Sequence, residues 1–201
     1  MTKCLYPWLI LTALLLLSSC TIVSTLNFSE KDAAGTPNLI ANPSFNPYSD
    51  VAAEALKGWV VHLSPAGGEI SPVIIDPAVA LEEGTSLRID ASDKSVMILS
   101  DPFPMRRYGG YYVRSSFKTN TATPPQVQMR LIVFKDNGKI VNRFKQKIHP
   151  TQEWERKSLS AGFIKPGARF GRIAYMIPPF KEGSVWIDVA GCYEVHSFHI
   201  D

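Results

Sequence analysis

Two stretches of the chain sort binding chemistry onto one side by simple alternation. Between Tyr111 and Lys118, Tyr112, Arg114 and Ser116 interleave with Tyr111, Val113, Ser115 and Phe117. Between Val127 and Lys135, Gln128, Arg130, Ile132 and Phe134 interleave with Val127, Met129, Leu131 and Val133. A period of two sends successive side chains to opposite faces of a strand. Tyr112 and Phe134 therefore offer aromatic faces for stacking, and Arg114, Gln128 and Arg130 offer planar N–H donors. An arginine fork can also grip a carboxylate with two parallel bonds. This is the chemistry of non-covalent capture of a hydroxyl-rich or carboxylate-bearing molecule. Polar outward positions are equally what any half-exposed antiparallel sheet requires, so a plain solvated face stands beside that reading.

Covalent chemistry finds little support. The chain has no nucleophile elbow, phosphate-binding loop or metalloprotease motif. Glu82 and Glu83 are adjacent, which does not place two carboxylates across a cleft as glycoside hydrolysis requires. Glu194, His196, His199 and Asp201 are ligand types for a transition metal, but alternation puts only Glu194 and His196 on one strand face. Lys135, Lys139, Arg143, Lys145 and Lys147 form a basic run. It is either a solvated hairpin or a surface for acidic polysaccharide or lipid headgroups. The reading is of a non-enzymatic binding protein.

The elements that must position these side chains are strands. From Asn38 onward, short apolar runs are cut by Pro, Gly and Asn-Gly, the pattern of an antiparallel β-sandwich. Asn137-Gly138 predicts a hairpin tip of type I′, with Ile140, Asn142 and Phe144 on the return strand. Ile173, Tyr175 and Ile177 alternate with Arg172, Ala174 and Met176; Val185, Ile187 and Val189 alternate with Trp186, Asp188 and Ala190. Gly191 predicts a bulge or bend. A short helix is expected only over Val51–Leu56.

The N-terminus predicts the compartment. Lys3 precedes an apolar run, Leu5 to Leu17, of secretory rather than membrane-spanning length. Leu17-Ser18-Ser19-Cys20 resembles the bacterial lipobox. The resemblance implies cleavage after residue 19 and acylation of Cys20, which would anchor the chain in a membrane through several acyl chains. Thr21 follows the cysteine where an aspartate would favour the inner membrane, so the outer membrane of the cell envelope is expected. Residues 20–37 read as a lipidated tether and 38–201 as the folded domain. Loss of Lys3 with the signal leaves 20 basic residues of the original 21 against 18 acidic, a net charge of +2. That near-neutrality argues against nucleic acid as a partner. Cys4 leaves with the signal, so Cys192 has no disulfide partner and reads as a buried small hydrophobe.

The landmarks occur in a familiar order. Asn38-Leu39-Ile40-Ala41-Asn42-Pro43-Ser44-Phe45 opens the domain. Gly58-Trp59, Gly84-Thr85-Ser86-Leu87-Arg88-Ile89, Gly109-Gly110-Tyr111, Trp154 and Val185-Trp186-Ile187-Asp188-Val189 follow. The whole resembles the carbohydrate-binding modules with a galactose-binding-like jelly-roll fold. The resemblance implies an all-β sandwich whose outer, concave sheet face holds a glycan. Tyr112, Arg114, Gln128, Arg130 and Phe134 would contribute to that site. It implies that Trp59, Trp154 and Trp186 are mainly core residues rather than sugar platforms. It also implies a structural calcium (Ca2+) near the junction of the chain ends, with Asp188 and Asn46 in the ligand positions. Asn46 stands where the family has a glutamate, which removes one charge. Two functions follow as expectations. One is a lipid-anchored, non-catalytic protein binding a glycan, with arginines favouring an acidic one. The other is a structural or assembly lipoprotein that uses the same sandwich to hold a protein partner.

Overall fold

The computed structural model describes residues 26–47, 56–66, 71–82 and 84–199. Cys20 and the expected helix over Val51–Leu56, apart from Leu56, lie outside them. In chain order the elements are α1 (Glu30–Ala33), β1 (Trp59–Ser64), β2 (Val73–Asp76), β3 (Ser86–Ser92), β4 (Ser95–Ser100), β5 (Phe103–Pro104), β6 (Gly109–Thr119), β7 (Val127–Phe134), β8 (Ile140–Ile148), β9 (Glu155–Ala161), β10 (Phe170–Ile177) and β11 (Phe180–Ser197). They form two antiparallel sheets. The first runs β1-β4-β10-β7-β8, with β5 beside β10; the second runs β2-β3-β11-β6-β9. The expected all-β sandwich is what the chain forms.

Alternation explains the packing. Met129, Leu131, Val133, Ile173 and Tyr175 of the first sheet meet Leu87, Ile89, Val113, Phe117 and Ile187 of the second in one buried core. Each such side chain contributes roughly 1.5–3 kcal/mol through removal of apolar surface from water. The Tyr175 ring meets Phe117 edge-on with centroids 5.9 Å apart, and its hydroxyl bonds to Ser115, so one polar contact is satisfied across the sheets. Burial pushes the Tyr175 phenol and the Cys192 thiol well above their ordinary values, so both stay protonated.

Two tryptophans are buried with satisfied indoles: Trp59 lies in the main core, as the resemblance implied, and Trp186 on the outer side of the second sheet. Trp59 Nε1 donates to the Asn42 carbonyl at 2.9 Å, and Trp186 Nε1 donates to Asp76 Oδ2 at 2.9 Å. Trp154 is only half-buried, just ahead of β9. Burial alone would raise the Asp76 carboxyl. The bonds from Trp186, the Ala78 N–H and Arg88 outweigh it and hold the group below its ordinary value.

Gly191 does mark a bulge. Asp188 pairs with Ser116 and Gly191 with Arg114, so Val189 and Ala190 together oppose one residue, and Val189 takes a positive φ of 52°. The Asn137-Gly138 hairpin forms, but its turn type is corrected. Only Gly138 has positive φ, at 76°. Lys135 N donates to Lys139 O at 2.9 Å and Gly138 N to Lys135 O at 3.0 Å. A three-residue loop of this kind needs one left-handed residue after an ordinary turn, whereas type I′ needs two.

The tether expectation is also corrected for its second half. From Leu26 the chain lies on the outer side of the second sheet. Phe28 N donates to Ser160 Oγ at 2.8 Å, and Phe28 packs with Tyr112, Tyr193 and Ala33 in a small cluster outside the main core. Gly110 and Gly162 permit this approach. A Cβ on Gly110 would stand 2.6 Å from the Phe28 ring, and one on Gly162 would stand 2.9 Å from Leu26.

Candidate functional site

The two alternating stretches become β6 and β7, and these strands lie in different sheets. Their outward faces point to opposite sides of the sandwich. The single face expected from Tyr112, Arg114, Gln128, Arg130 and Phe134 is therefore two faces, and that expectation is corrected.

On the second sheet Tyr112 and Arg114 are already engaged. Tyr112 is buried beneath the N-terminal segment, with its ring 6.5 Å from that of Tyr193. Arg114 lies over the Tyr193 ring at 5.2 Å and donates through Nη1 to Glu30 Oε1 at 3.0 Å. Arg156 Nη1 reaches Glu30 Oε2 at 2.9 Å. Burial tends to raise the Glu30 carboxyl, but the two guanidinium groups hold it below its ordinary value. Tyr112 and Arg114 thus fasten the chain to itself.

The outer face of the first sheet is open and differs in charge. Register sets its side chains in rows across the strands. One row runs His62, Met97, Met176, Gln128 and Lys147; the next runs Val60, Leu99, Ala174, Arg130 and Lys145. Arg172, Ile132 and Arg143 follow, and then Phe170, Phe134 and Ile140. None of the six strands contains an Asp or Glu. Arg130, Arg143, Lys145, Lys147 and Arg172 all point outward, and none forms an ion pair with another described residue.

Within this face, Arg130 donates through Nε and Nη2 to Gln128 Oε1 at 3.2 and 2.6 Å, and Arg172 donates through Nη1 to the Ser100 carbonyl at 3.2 Å. Each fork is thereby oriented while keeping N–H groups for another partner. Phe134 and Phe170 stack with centroids 5.1 Å apart and planes 12° apart. Gln128, Arg130 and Phe134 are thus brought together as expected. Arg172, Phe170, Met97 and Met176 join them. Phe170, Arg172 and Met176 lie on the outward side of the 170–177 alternation, whereas Met97 comes from β4, where no alternation was singled out.

The expected calcium ligands Asn46 and Asp188 have separate partners. Asp188 is buried; its Oδ2 accepts from Leu81 N at 2.9 Å and its Oδ1 from Val189 N at 2.7 Å. Burial pushes its carboxyl up despite these bonds. Asn46 Oδ1 instead stands with other oxygens. The Thr85 hydroxyl is 2.9 Å from the Phe45 carbonyl, 3.1 Å from the Ser44 carbonyl and 3.5 Å from Asn46 Oδ1. One hydroxyl carries one proton, so three acceptors there form an oxygen-rich set of the type a hard cation takes. Among the described residues, no three His, Cys, Asp or Glu side chains gather as a metal site. Glu194 pairs with Arg106 at 3.5 Å, and the His196 ring sits edge-on to Phe198. No helix of the described residues is long and apolar enough to cross a membrane.

No protein-family model matches the chain, and no curated protein matches it in sequence. Solved structures do match in fold. The enzymatically active domain of tailspike protein 4 from bacteriophage CBA120 superposes with a TM-score of 0.62 at 13% identity over 78% of this chain. The chain spans only 21% of that tailspike structure. The module TmCBM61, solved with beta-1,4-galactotriose, gives a TM-score of 0.55 at 15% identity, covering 79% of this chain and 99% of the module. The CBM22-1 xylan-binding domain of Paenibacillus barcinonensis Xyn10C gives 0.51 at 10% identity, covering 78% and 94%. At these identities the likeness is one of fold: the chain has the β-sandwich of carbohydrate-binding modules, and function lives in the site each fold carries.

Proposed function

We propose that this is a lipid-anchored, non-catalytic carbohydrate-binding protein of the bacterial cell envelope. Its ligand is an anionic glycan laid across the outer face of the first sheet. The observation that supports this most is the absence of any carboxylate from all six strands of a sheet that turns five cations outward. A uronate carboxylate offers a guanidinium fork two charge-assisted bonds, which a neutral sugar does not. Phe134 and Phe170 supply apolar surface for a sugar ring beside those forks. A face without Asp or Glu also lacks the acid pair of glycoside hydrolysis, so the site binds without cutting. The Leu17-Ser18-Ser19-Cys20 lipobox supports the anchor, and Thr21 supports the outer membrane.

Titration calorimetry with a polyuronate and a neutral glucan tests the ligand. A charged hydrogen bond is worth about 1.5–3 kcal/mol, so replacing both Arg130 and Arg172 by alanine should weaken polyuronate binding by about tenfold or more. The melting temperature should hold, because both side chains lie outside the core. Undiminished polyuronate binding by the double variant, or stronger binding of the neutral glucan by the parent, would refute the reading.

A further inference from the structure

A wide groove lies along the edge where β8 of the first sheet faces β9 of the second. It encloses about 1060 Å³, and its lining includes Leu26, Phe28, Phe144, Phe163, Phe198 and Lys165, with no acidic side chain. Its rim is unusual. Leu26 and Phe163 each expose 41% of their surface, although both are large apolar residues. Phe163 is held at a φ of 42° and its neighbour Tyr108 at 61°, a left-handed conformation that side-chain-bearing residues rarely take. The two rings lie 5.3 Å apart, with Phe198 6.0 Å from Phe163. The fold holds an aromatic group outward here against its backbone preference.

We propose that this edge is the surface that meets the membrane: the groove seats on the lipid headgroup boundary, with Leu26 and Phe163 entering the apolar layer and Lys165 meeting phosphate. The inference rests on acylation of Cys20. Leu26 is fastened to the domain through its contact with Gly162 and the Phe28–Ser160 bonds. Six residues from Cys20 to Leu26 span about 20 Å even when fully extended. A domain of this size has a radius of gyration of about 15 Å, so so short a link cannot carry the anchor around to the far side. The edge that holds Leu26 is therefore the one the anchor draws towards the lipid. An apolar patch rimmed by polar residues is how a protein surface marks such a contact. With this edge down, both sheets stand upright and the cationic face looks sideways, open to polymer.

Spin labels on the full acylated protein in phosphatidylethanolamine–phosphatidylglycerol vesicles test this. Cys192 is fully buried and resists labelling. Labels at Phe163→Cys and, separately, Leu26→Cys should collide several-fold more with oxygen, which concentrates in lipid, than with a water-soluble nickel chelate. Labels at Val60→Cys and Ile74→Cys, exposed on the outer faces of the two sheets, should show the reverse. If both edge labels behave like those at 60 and 74, the inference is wrong while the anchor stands. A mass spectrum showing Cys20 unmodified in the membrane-expressed chain would overturn the anchor and the inference together.

Discussion

Thr85 gathers three oxygens around a single hydroxyl. Its one proton faces the Ser44 and Phe45 carbonyls and Asn46 Oδ1, so the remaining acceptors have no partner in that contact. Gly84 makes room for the carboxamide: a Cβ there would stand 2.6 Å from Asn46 Oδ1. Calcium takes six to eight oxygens and favours charged ones, so a neutral amide at Asn46 makes a weaker site than a carboxylate there would, while still supplying an oxygen. We propose that calcium binds at Ser44–Asn46 and Thr85, with Asp188 anchoring the nearby main chain through Leu81 instead of completing the shell. An ion that binds only the folded state stabilises it, by about 2.7 kcal/mol at a hundredfold excess over its dissociation constant. Millimolar calcium should therefore raise the melting temperature of the chelator-treated protein by about 5 °C or more. Asn46→Ala should abolish most of that rise. Superimposable melting curves with and without calcium would remove the ion from the account. At this scale the sequence was informative about residue type and poor on partners. Trp59 was legible as core, but its acceptor, the Asn42 carbonyl, and the Asp76 carboxylate that holds Trp186 on the outer side of the second sheet are set by chain crossings that no local pattern encodes.

The strand β6 explains why the expected site came out divided. Its alternation was legible, with Val113 and Phe117 inward and Tyr112 and Arg114 outward. Alternation tells which residues share a face, but not which strand lies alongside. The missed signal was the connection. Asn120 to Gln126 is seven residues long with Pro124-Pro125 inside it, longer than a hairpin loop usually is, and it carries the chain from one sheet to the other. Both faces of β6 are then buried, because Leu26–Ala33 covers the outer one. Glu30 is the clamp of that cover, bridging Arg114 and Arg156. Its carboxyl sits below its ordinary value of 4.5, so the contribution is complete above that value and fades as pH falls through the lower folded value. Glu30→Gln should loosen the segment at neutral pH, and acidification of the parent well below the ordinary carboxyl value of 4.5 should do the same. Faster tryptic cutting after Lys31 and faster exchange of the Phe28 amide would register the opening. A variant protected as well as the parent would mean that Phe28 and Tyr112 hold the segment by packing alone.

At the scale of the whole molecule, a net charge of +3 for the full chain conceals two different surfaces. Composition argued for weak electrostatics because it averages over them. In the second sheet and its cover four cations are neutralised in place: Arg88 by Asp76 and Asp90, Arg114 and Arg156 by Glu30, Lys157 by Glu155. The first sheet has no acid to do this, so its five cations act outward together. Like-signed charges on one face sum into a field that draws an anionic polymer before any contact forms. Salt shortens the reach of that field from about 10 Å at 0.1 M to about 3 Å at 1 M. Polyuronate affinity should therefore fall several-fold across that range, while affinity for any neutral sugar should not move. Lys145 and Lys147 lie at the edge strand, flanking the forks of Arg130 and Arg172 without sharing their hydrogen bonds. Replacing both by glutamate should lower the polyuronate affinity at low salt and flatten its salt dependence, with the heat of binding per site little changed. An affinity that ignores salt in the parent, or a slope untouched by the two glutamates, would show that recognition on this face is by stacking and neutral hydrogen bonds alone.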